Sequence, residues 1–265
     1  MAMVSMQYVQ EQSIAYKKTF SNMIEKEWGY LFYNEENPLH YDANHAHLNK
    51  SPVQPEVVYN QVLGFFRSRH LPPRYYIYNV EECEAIIEFL LAKGWQFETF
   101  KNAIQLWNGK LIELEEIPEI KIEVVDESNY PDALKVECAI TEFGGKEVRE
   151  KAFEFEYKSS AYEHFLLKYK GIPVATACLF IHGKHLQLES VATIKEYRGK
   201  GLINHLIFYI QKLTSAKDFE NLWVYPINEQ VEKIYSRHGF DTVGHYHFGH
   251  AFLEGKAIKA IHKGE

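Results

Sequence analysis

Apolar side chains recur along this chain with two periods, and the switches between them lay out its elements. Residues 9–31 read as a helix, with Trp28, Tyr30 and Leu31 near its end. The polar stretch Asn34 to Pro38 makes a loop, and residues 40–48, HYDANHAHL, read as a strand or loop. Ser51 and Pro52 are suited to the N-cap and first position of a helix. That helix spans Val57 to Arg69, where Val58, Val62, Phe65 and Phe66 fall on one face, and Pro72-Pro73 ends it. Arg74 to Tyr78 is a strand, and Glu81 to Lys93 a helix closed by Gly94. Gln96 to Trp107 is extended, and Asn108-Gly109 signals a hairpin turn. The acidic run Glu113 to Glu119, broken by Pro118, marks a boundary between a first domain, 1–117, and a second, 118–265.

The second half alternates more regularly. Strands are expected at Ile120 to Val125, Tyr162 to Tyr169, Val174 to His182, Leu186 to Ile194 and Leu222 to Tyr225. Helices are expected at Pro131 to Ile140, within the charged segment Thr141 to Ser160, at Leu202 to Leu213 and at Glu229 to His238. Two final strands complete a mixed α/β pattern.

Composition narrows the function classes. A length of 265 residues accommodates two modest domains, and aromatics at 15% supply large cores, which argues against disorder. A net charge of −7 is unsuited to a phosphate-binding face, so no nucleic-acid partner is expected. The first ten residues lack the basic start and apolar run of a secretory signal, and no run approaches the ~20 apolar residues of a membrane span. Three cysteines without metal-ligand spacing fit a reduced, cytoplasmic protein. No membrane partner is expected, and the chain should act as a monomer or homodimer.

The chemistry concentrates in two places. The run Leu188 to Leu202 carries a strand into Arg198-Gly199-Lys200-Gly201 and then into an amphipathic helix. Glycines admit close backbone approach, successive N–H groups point inward, and a helix N-terminus adds positive potential, an arrangement suited to a pyrophosphate. The run is neither a Walker loop nor the three-glycine dinucleotide fingerprint. Further on, Asn228 opens a helix, Tyr235 follows seven residues later on the same face, and Gly239-Phe240 closes it. A phenol placed there can protonate a departing thiolate, although a half-buried core tyrosine would give the same pattern.

Together these segments resemble the GNAT acetyltransferase superfamily. Its loop pattern, Gln/Arg-x-x-Gly-x-Gly/Ala, is matched at both glycines, with Glu196 departing at the first position and Thr193 where many members have Val. Its Asn…Tyr…Gly-Phe motif is matched at Asn228, Tyr235, Gly239 and Phe240. The resemblance covers about 145 residues from Ile120 onward. It implies a GNAT fold, a central splayed mixed sheet flanked by helices, and acetyl-CoA as cosubstrate with no metal needed. It further implies that Val191, Ala192 and Thr193 offer backbone hydrogen bonds to the pantetheine arm. Arg198, Gly199, Lys200, Gly201 and Leu202 would cradle the pyrophosphate, and Asn228 would touch the arm near the thioester. Tyr235 would protonate the CoA sulfur, and Glu189 would deprotonate the amine, unless Glu189 is simply an outward-facing strand residue. The expected acceptor is a primary amine of a small molecule or peptide, with direct transfer in a ternary complex. The alternative is a non-catalytic acyl-CoA-binding sensor.

The first half echoes the second. Strand 75–78, helix 81–93 and Gly94-Trp95 parallel strand 222–225, helix 229–238 and Gly239-Phe240. Yet its loop, Lys50 to Pro55, has two prolines and no glycine, so this half is expected to be a degenerate GNAT-like domain without CoA. Two histidine sets, His40/His45/His47 beside Asp42 and His245/His247/His250, are expected to be surface or acceptor-pocket residues rather than metal ligands.

Overall fold

In the computed structural model, which describes residues 6–264, the chain runs α1 (Met6–Lys17), β1 (Asn22–Lys26), β2 (Gly29–Tyr33), β3 (His45–Leu48), α2 (Pro55–Arg67), β4 (Arg74–Tyr78), α3 (Glu84–Ala92) and β5 (Gln96–Trp107). It continues with β6 (Ile120–Val124), α4 (Tyr130–Ala139), α5 (Lys146–Lys158), β7 (Tyr162–Tyr169), β8 (Ile172–His182), β9 (His185–Thr193) and α6 (Leu202–Ser215). The last elements are β10 (Asn221–Val224), α7 (Glu229–Ser236), β11 (Phe240–Phe252) and α8 (Ile258–Ile261). No helix among the described residues is long and apolar enough to cross a membrane.

The helix expected over residues 9–31 stops at Lys17, and β1 and β2 form a hairpin instead. Gly29 explains the departure. Its φ is +149°, and a Cβ there would lie 2.0 Å from the His47 carbonyl oxygen, so only glycine lets β2 start against β3. Asn108-Gly109 makes no hairpin: Asn108 donates its N–H to Gly239 O (2.9 Å), and β5 pairs with β10 instead. The two final strands expected near the C-terminus are one, the thirteen-residue β11.

The chain divides into two compact units that are not consecutive halves. One is built on residues 10–101 with 246–263, the other on residues 102–245. β5 and β11 each begin in one unit and end in the other, so residues 102–117 go with the second unit and no single cut at 117/118 separates the two.

Each unit has the same plan. In the first, β1, β2 and β3 form an antiparallel meander, α2 crosses over, and β4 lies parallel to β3 (Ala46 opposite Tyr75, Leu48 opposite Ile77). In the second, β7, β8 and β9 form the meander, α6 crosses over, and β10 lies parallel to β9. A helix follows in both, α3 or α7, and then a long strand. The long strands are exchanged: β5 pairs with β10, and β11 pairs with β4. β6 adds an outer strand to β7.

Burial follows the helical period. Leu202, Leu206, Ile207 and Ile210 of α6 press on Leu186 and Leu188 of β9 and on Leu222 and Val224 of β10. Each such side chain contributes about 1.5–3 kcal/mol on full burial. On the opposite face of the sheet, α4 and α5 pack Ala133, Val136 and Phe153 against Leu166. The first unit repeats the arrangement, with Val58, Val62, Phe66, Ile86 and Leu90 against Leu31, Ala46, Leu48, Tyr75 and Ile77.

Candidate active site

The site begins where β9 leaves β10. The parallel pairing runs only from Asn221 opposite His185 to Val224 opposite Leu188. Past Leu188, β9 still pairs with β8, Glu189 opposite Cys178 and Thr193 opposite Ala175, but no strand among the described residues flanks it on the other side. A bulge sets this departure. Between the Thr176/Ala192 and Cys178/Glu189 pairs, β9 spends one residue more than β8, and Ser190 takes a left-handed φ of +50°. A bulge bends its strand and increases twist, which carries residues 191–193 off the β10 line and leaves a free backbone edge. Val191, Ala192 and Thr193 lie on this stretch, where the sequence put them, although Thr193 O already accepts a hydrogen bond from Arg198 Nε at 2.9 Å.

The loop follows at once. A short 3-10 turn, Lys195–Tyr197, leads to Arg198, and Gly199 and Gly201 have φ of +78° and +72°. Gly201 is the N-cap of α6 and supplies no side chain to its first turn, so the backbone donors of Leu202 and Ile203 depend on a partner outside the helix. Lys200 Nζ lies 4.6 Å from the Tyr197 ring centroid. Arg198 already has a carboxylate partner. Its guanidinium reaches Glu142 Oε1 at 2.8 Å, in the linker between α4 and α5.

Across the opening stands α7. Asn228 is its N-cap, in extended conformation, with Oδ1 accepting from Val231 N at 2.9 Å. β5 holds the same helix: Gln105 Nε2 donates to Ser236 Oγ (2.9 Å) and Glu232 O (3.3 Å). Tyr235 is 5% exposed, with its ring edge-on to Phe240 at 5.4 Å. It is thus a core residue, as one reading of the sequence held, and also an electrostatic neighbour of the candidate base. Burial, then the charge of Glu189, pushes its phenol well above the usual range and keeps the proton in place at neutral pH. Glu189 accepts a short hydrogen bond from Gln187 Nε2, two residues back on the same strand face.

Behind β8, on the face covered by α4 and α5, lies a buried ionic cluster that sequence reasoning did not single out. Arg149 Nε donates to Glu137 Oε2 (2.6 Å), and its two terminal nitrogens grip both oxygens of Glu156 (2.8 and 2.6 Å). Ligand-type atoms of Glu156, His164 and Cys178 lie within 4.8 Å of one another. The Glu156 carboxylate is committed to Arg149, and burial lowers His164 to about 4. Of the histidine sets, expected to be surface or acceptor-pocket residues, three members are not on the surface. His45, His47 and His250 are fully buried in the first unit, and His45 and His47 stack on Tyr76 and Tyr78 at 4.0 and 4.4 Å. They lie on alternate β3 positions facing away from α2, where strand geometry buries them together.

Several site features had no sequence signal. The bulge at Ser190 involves no glycine. The Gln187–Glu189 bond joins two ordinary polar strand residues, and the Glu142–Arg198 pair links residues 56 apart. Asn204, one turn into α6, also meets His238 Nε2 at 3.1 Å, tying the loop helix to the end of α7.

Residues 132–240 match the model of the acetyltransferase (GNAT) family. The sequence matches no curated protein. Among solved structures, the chain is similar to a conserved protein of unknown function from Staphylococcus epidermidis, with a TM-score of 0.69, 15% identity, and 88% of this chain and 94% of the other covered. It is also similar to a GCN5-related N-acetyltransferase from Kribbella flavida, with a TM-score of 0.67, 16% identity, and 96% and 98% covered. A GCN5-related N-acetyltransferase-like protein from Streptococcus suis gives a TM-score of 0.57, 13% identity, and 91% and 99% covered. At these identities the likeness is one of fold, and it extends over both units.

Proposed function

Because residues 132–240 form a domain of the acetyltransferase (GNAT) family, we propose that the protein transfers an acetyl group from acetyl-CoA to a primary amine of a small molecule or peptide. The observation that carries this reading is the free edge of β9 running into a glycine loop at the N-terminus of α6, with a buried, protonated tyrosine across the opening. These residues fit CoA. Val191 and Ala192 offer an unpaired strand edge to an amide-bearing arm, as strand addition requires. Gly199, Lys200, Gly201 and Leu202 offer backbone donors, the helix terminus and a cation to the pyrophosphate. Asn228 marks the point where α7 meets the arm.

CoA supplies an acetyl thioester, and the chain's own residues manage the protons. Glu189, held by Gln187, accepts a proton from the ammonium group, directly or through water, so that the free nitrogen can attack the thioester carbonyl. As the C–N bond forms and the C–S bond breaks, Tyr235 gives its proton to sulfur, and the second proton shed by the attacking nitrogen returns to the tyrosinate through water, which leaves the amide, the CoA thiol and the phenol restored. Transfer is direct, in a ternary complex. The protein works as a monomer or homodimer in the cytoplasm, without nucleic-acid or membrane partners.

The first unit should hold no CoA. β3 ends at Leu48 in register with β4, with no bulge and no splayed extension, and the following loop carries Pro52 and Pro55 in place of glycines. Calorimetry with acetyl-CoA and thiol release over a panel of amines test the reading together. One site per chain and turnover with an amine support it. Binding without turnover on any amine favours the acyl-CoA sensor, and no binding at millimolar CoA overturns both.

A further inference from the structure

The Arg198 side chain points into the loop but is not unpartnered. Its Nε is fixed on Thr193 O, and its terminal NH1 group holds the Glu142 carboxylate at 2.8 Å. Glu142 therefore stands where an anion would stand, and its pKa is pulled down chiefly by the hydrogen bond from Arg198. It belongs to a strap. Thr141–Phe143 is a single 3-10 turn between α4 and α5, followed by Gly144 and Gly145 at φ of +95° and +94°. Two backbone bonds hold the turn, Phe143 N to Ile140 O and Gly144 N to Thr141 O, both 3.2 Å, and the Arg149 guanidinium lies 5.3 Å from the Phe143 ring centroid. Its flanks, by contrast, are clamped, because Arg149 of α5 binds Glu137 of α4 and Glu156 one helical face along. The strap can swing at its glycines while the helices it joins stay in place.

We propose that Glu142 is a built-in competitor for the cofactor pyrophosphate, closing the α4–α5 strap over the loop until the cofactor displaces it. The inference rests on the CoA reading above. A pyrophosphate beside Arg198 repels the Glu142 carboxylate and offers the guanidinium a better partner, so binding and strap release are one step. Arg198 changes partners by exchange at its terminal nitrogens, with Nε still on Thr193. A closed fraction lowers the apparent affinity by the fraction that is open. The Arg198 and Glu142 side chains are 45% and 25% exposed, so the contact is of modest strength, and removing it should raise CoA affinity about 2- to 5-fold.

The test is a thermodynamic cycle. CoA affinity is measured by calorimetry for the wild-type chain, Glu142→Gln, Arg198→Ala and the double variant, and amide exchange of residues 140–146 is followed with and without CoA. Glu142→Gln should bind CoA about 2- to 5-fold more tightly, Arg198→Ala more weakly, and Glu142→Gln should add nothing when Arg198 is alanine. CoA should speed exchange at Phe143 and Gly144 in the wild type. A wild type that binds CoA while Glu142→Gln binds it equally or less tightly overturns the competitor and leaves the CoA site standing. The same gain with and without Arg198 also overturns it. CoA binding to none of the four removes the CoA reading, and the competitor falls with it.

Discussion

Replacing Arg149 with methionine keeps the aliphatic stem and deletes the one cation between two buried carboxylates. Arg149, Glu137 and Glu156 have side chains only 6%, 0% and 5% exposed, and the guanidinium makes three bonds of 2.6–2.8 Å to them. Removing one member of a buried pair costs about 3–5 kcal/mol, because the partner keeps its desolvation cost without compensation. At about 2–4 °C per kcal/mol for domains of 150–250 residues, Arg149→Met should melt about 6–20 °C below wild type at pH 7. The pH dependence fixes the cause. Burial already raises the Glu137 pKa with Arg149 present, and losing the cation raises it further. A carboxylate whose folded pKa lies above its unfolded value of about 4.3 binds more protons when folded, so stability falls as pH rises from there to the folded pKa. Arg149→Met should therefore recover towards wild type between pH 7 and 5. A second arm replaces the whole cluster, Glu137→Leu with Arg149→Met and Glu156→Leu, which should equal or exceed wild type since no charge is left buried. Thermal melts by far-UV circular dichroism across this pH range decide it. A single variant within 1 kcal/mol of wild type at pH 7, or a triple variant as weak as the single one, would refute the reasoning.

Three further outcomes are expected. Tyr235→Phe keeps the ring packed on Phe240 and should lower kcat by about 10²–10⁴ with acetyl-CoA affinity within a few-fold of wild type, and unchanged steady-state turnover would leave solvent as the proton donor. Gly201→Glu places a side chain at φ +72° and a negative charge at the mouth of the loop, so titration calorimetry should find no CoA binding while the far-UV spectrum stays native. His164 and His47 are held neutral by burial, lowered to about 4 and about 3 against about 6.5 unfolded. Their stabilisation is complete above pH 6.5 and is lost as pH falls towards 4 and 3, so the urea midpoint should drop through that range, and a flat midpoint would show that these rings are not buried neutral.

How much of this was legible depended on the range of each interaction. The glycine loop, the α6 amphipathic face and the Asn228–Tyr235 spacing are local facts of chain stereochemistry, and glycine with positive φ or an N-capping asparagine declares itself in its own few residues. The repeat between the halves was legible too, since strand, crossover helix, strand and helix recur with Gly94 and Gly239 at matching ends. Other features are fixed by partners distant in sequence. The helix expected over residues 9–31 gave way to a hairpin because Gly29 must pass the His47 carbonyl, a contact visible only once β3 is in place. His45 and His47 looked like surface or pocket residues because a His-x-His strand shows its alternation but not which face is covered.

Sequence by itself determined the resemblance of the second half to the acetyltransferase (GNAT) family, matched over residues 132–240, and the position of the glycine loop, because motif and periodicity are short-range properties of the chain. Tertiary structure alone decided that β5 and β11 change places between the units, since strand pairing is chosen among alternatives of similar local propensity by the edges β4 and β10 leave open. It alone placed the bulge at Ser190, where the register of β8 against β9 must absorb one residue, and so opened the edge beside the loop. And it alone joined Glu142 to Arg198 across 56 residues, because a charge finds its counter-charge through space and leaves no periodic trace along the chain.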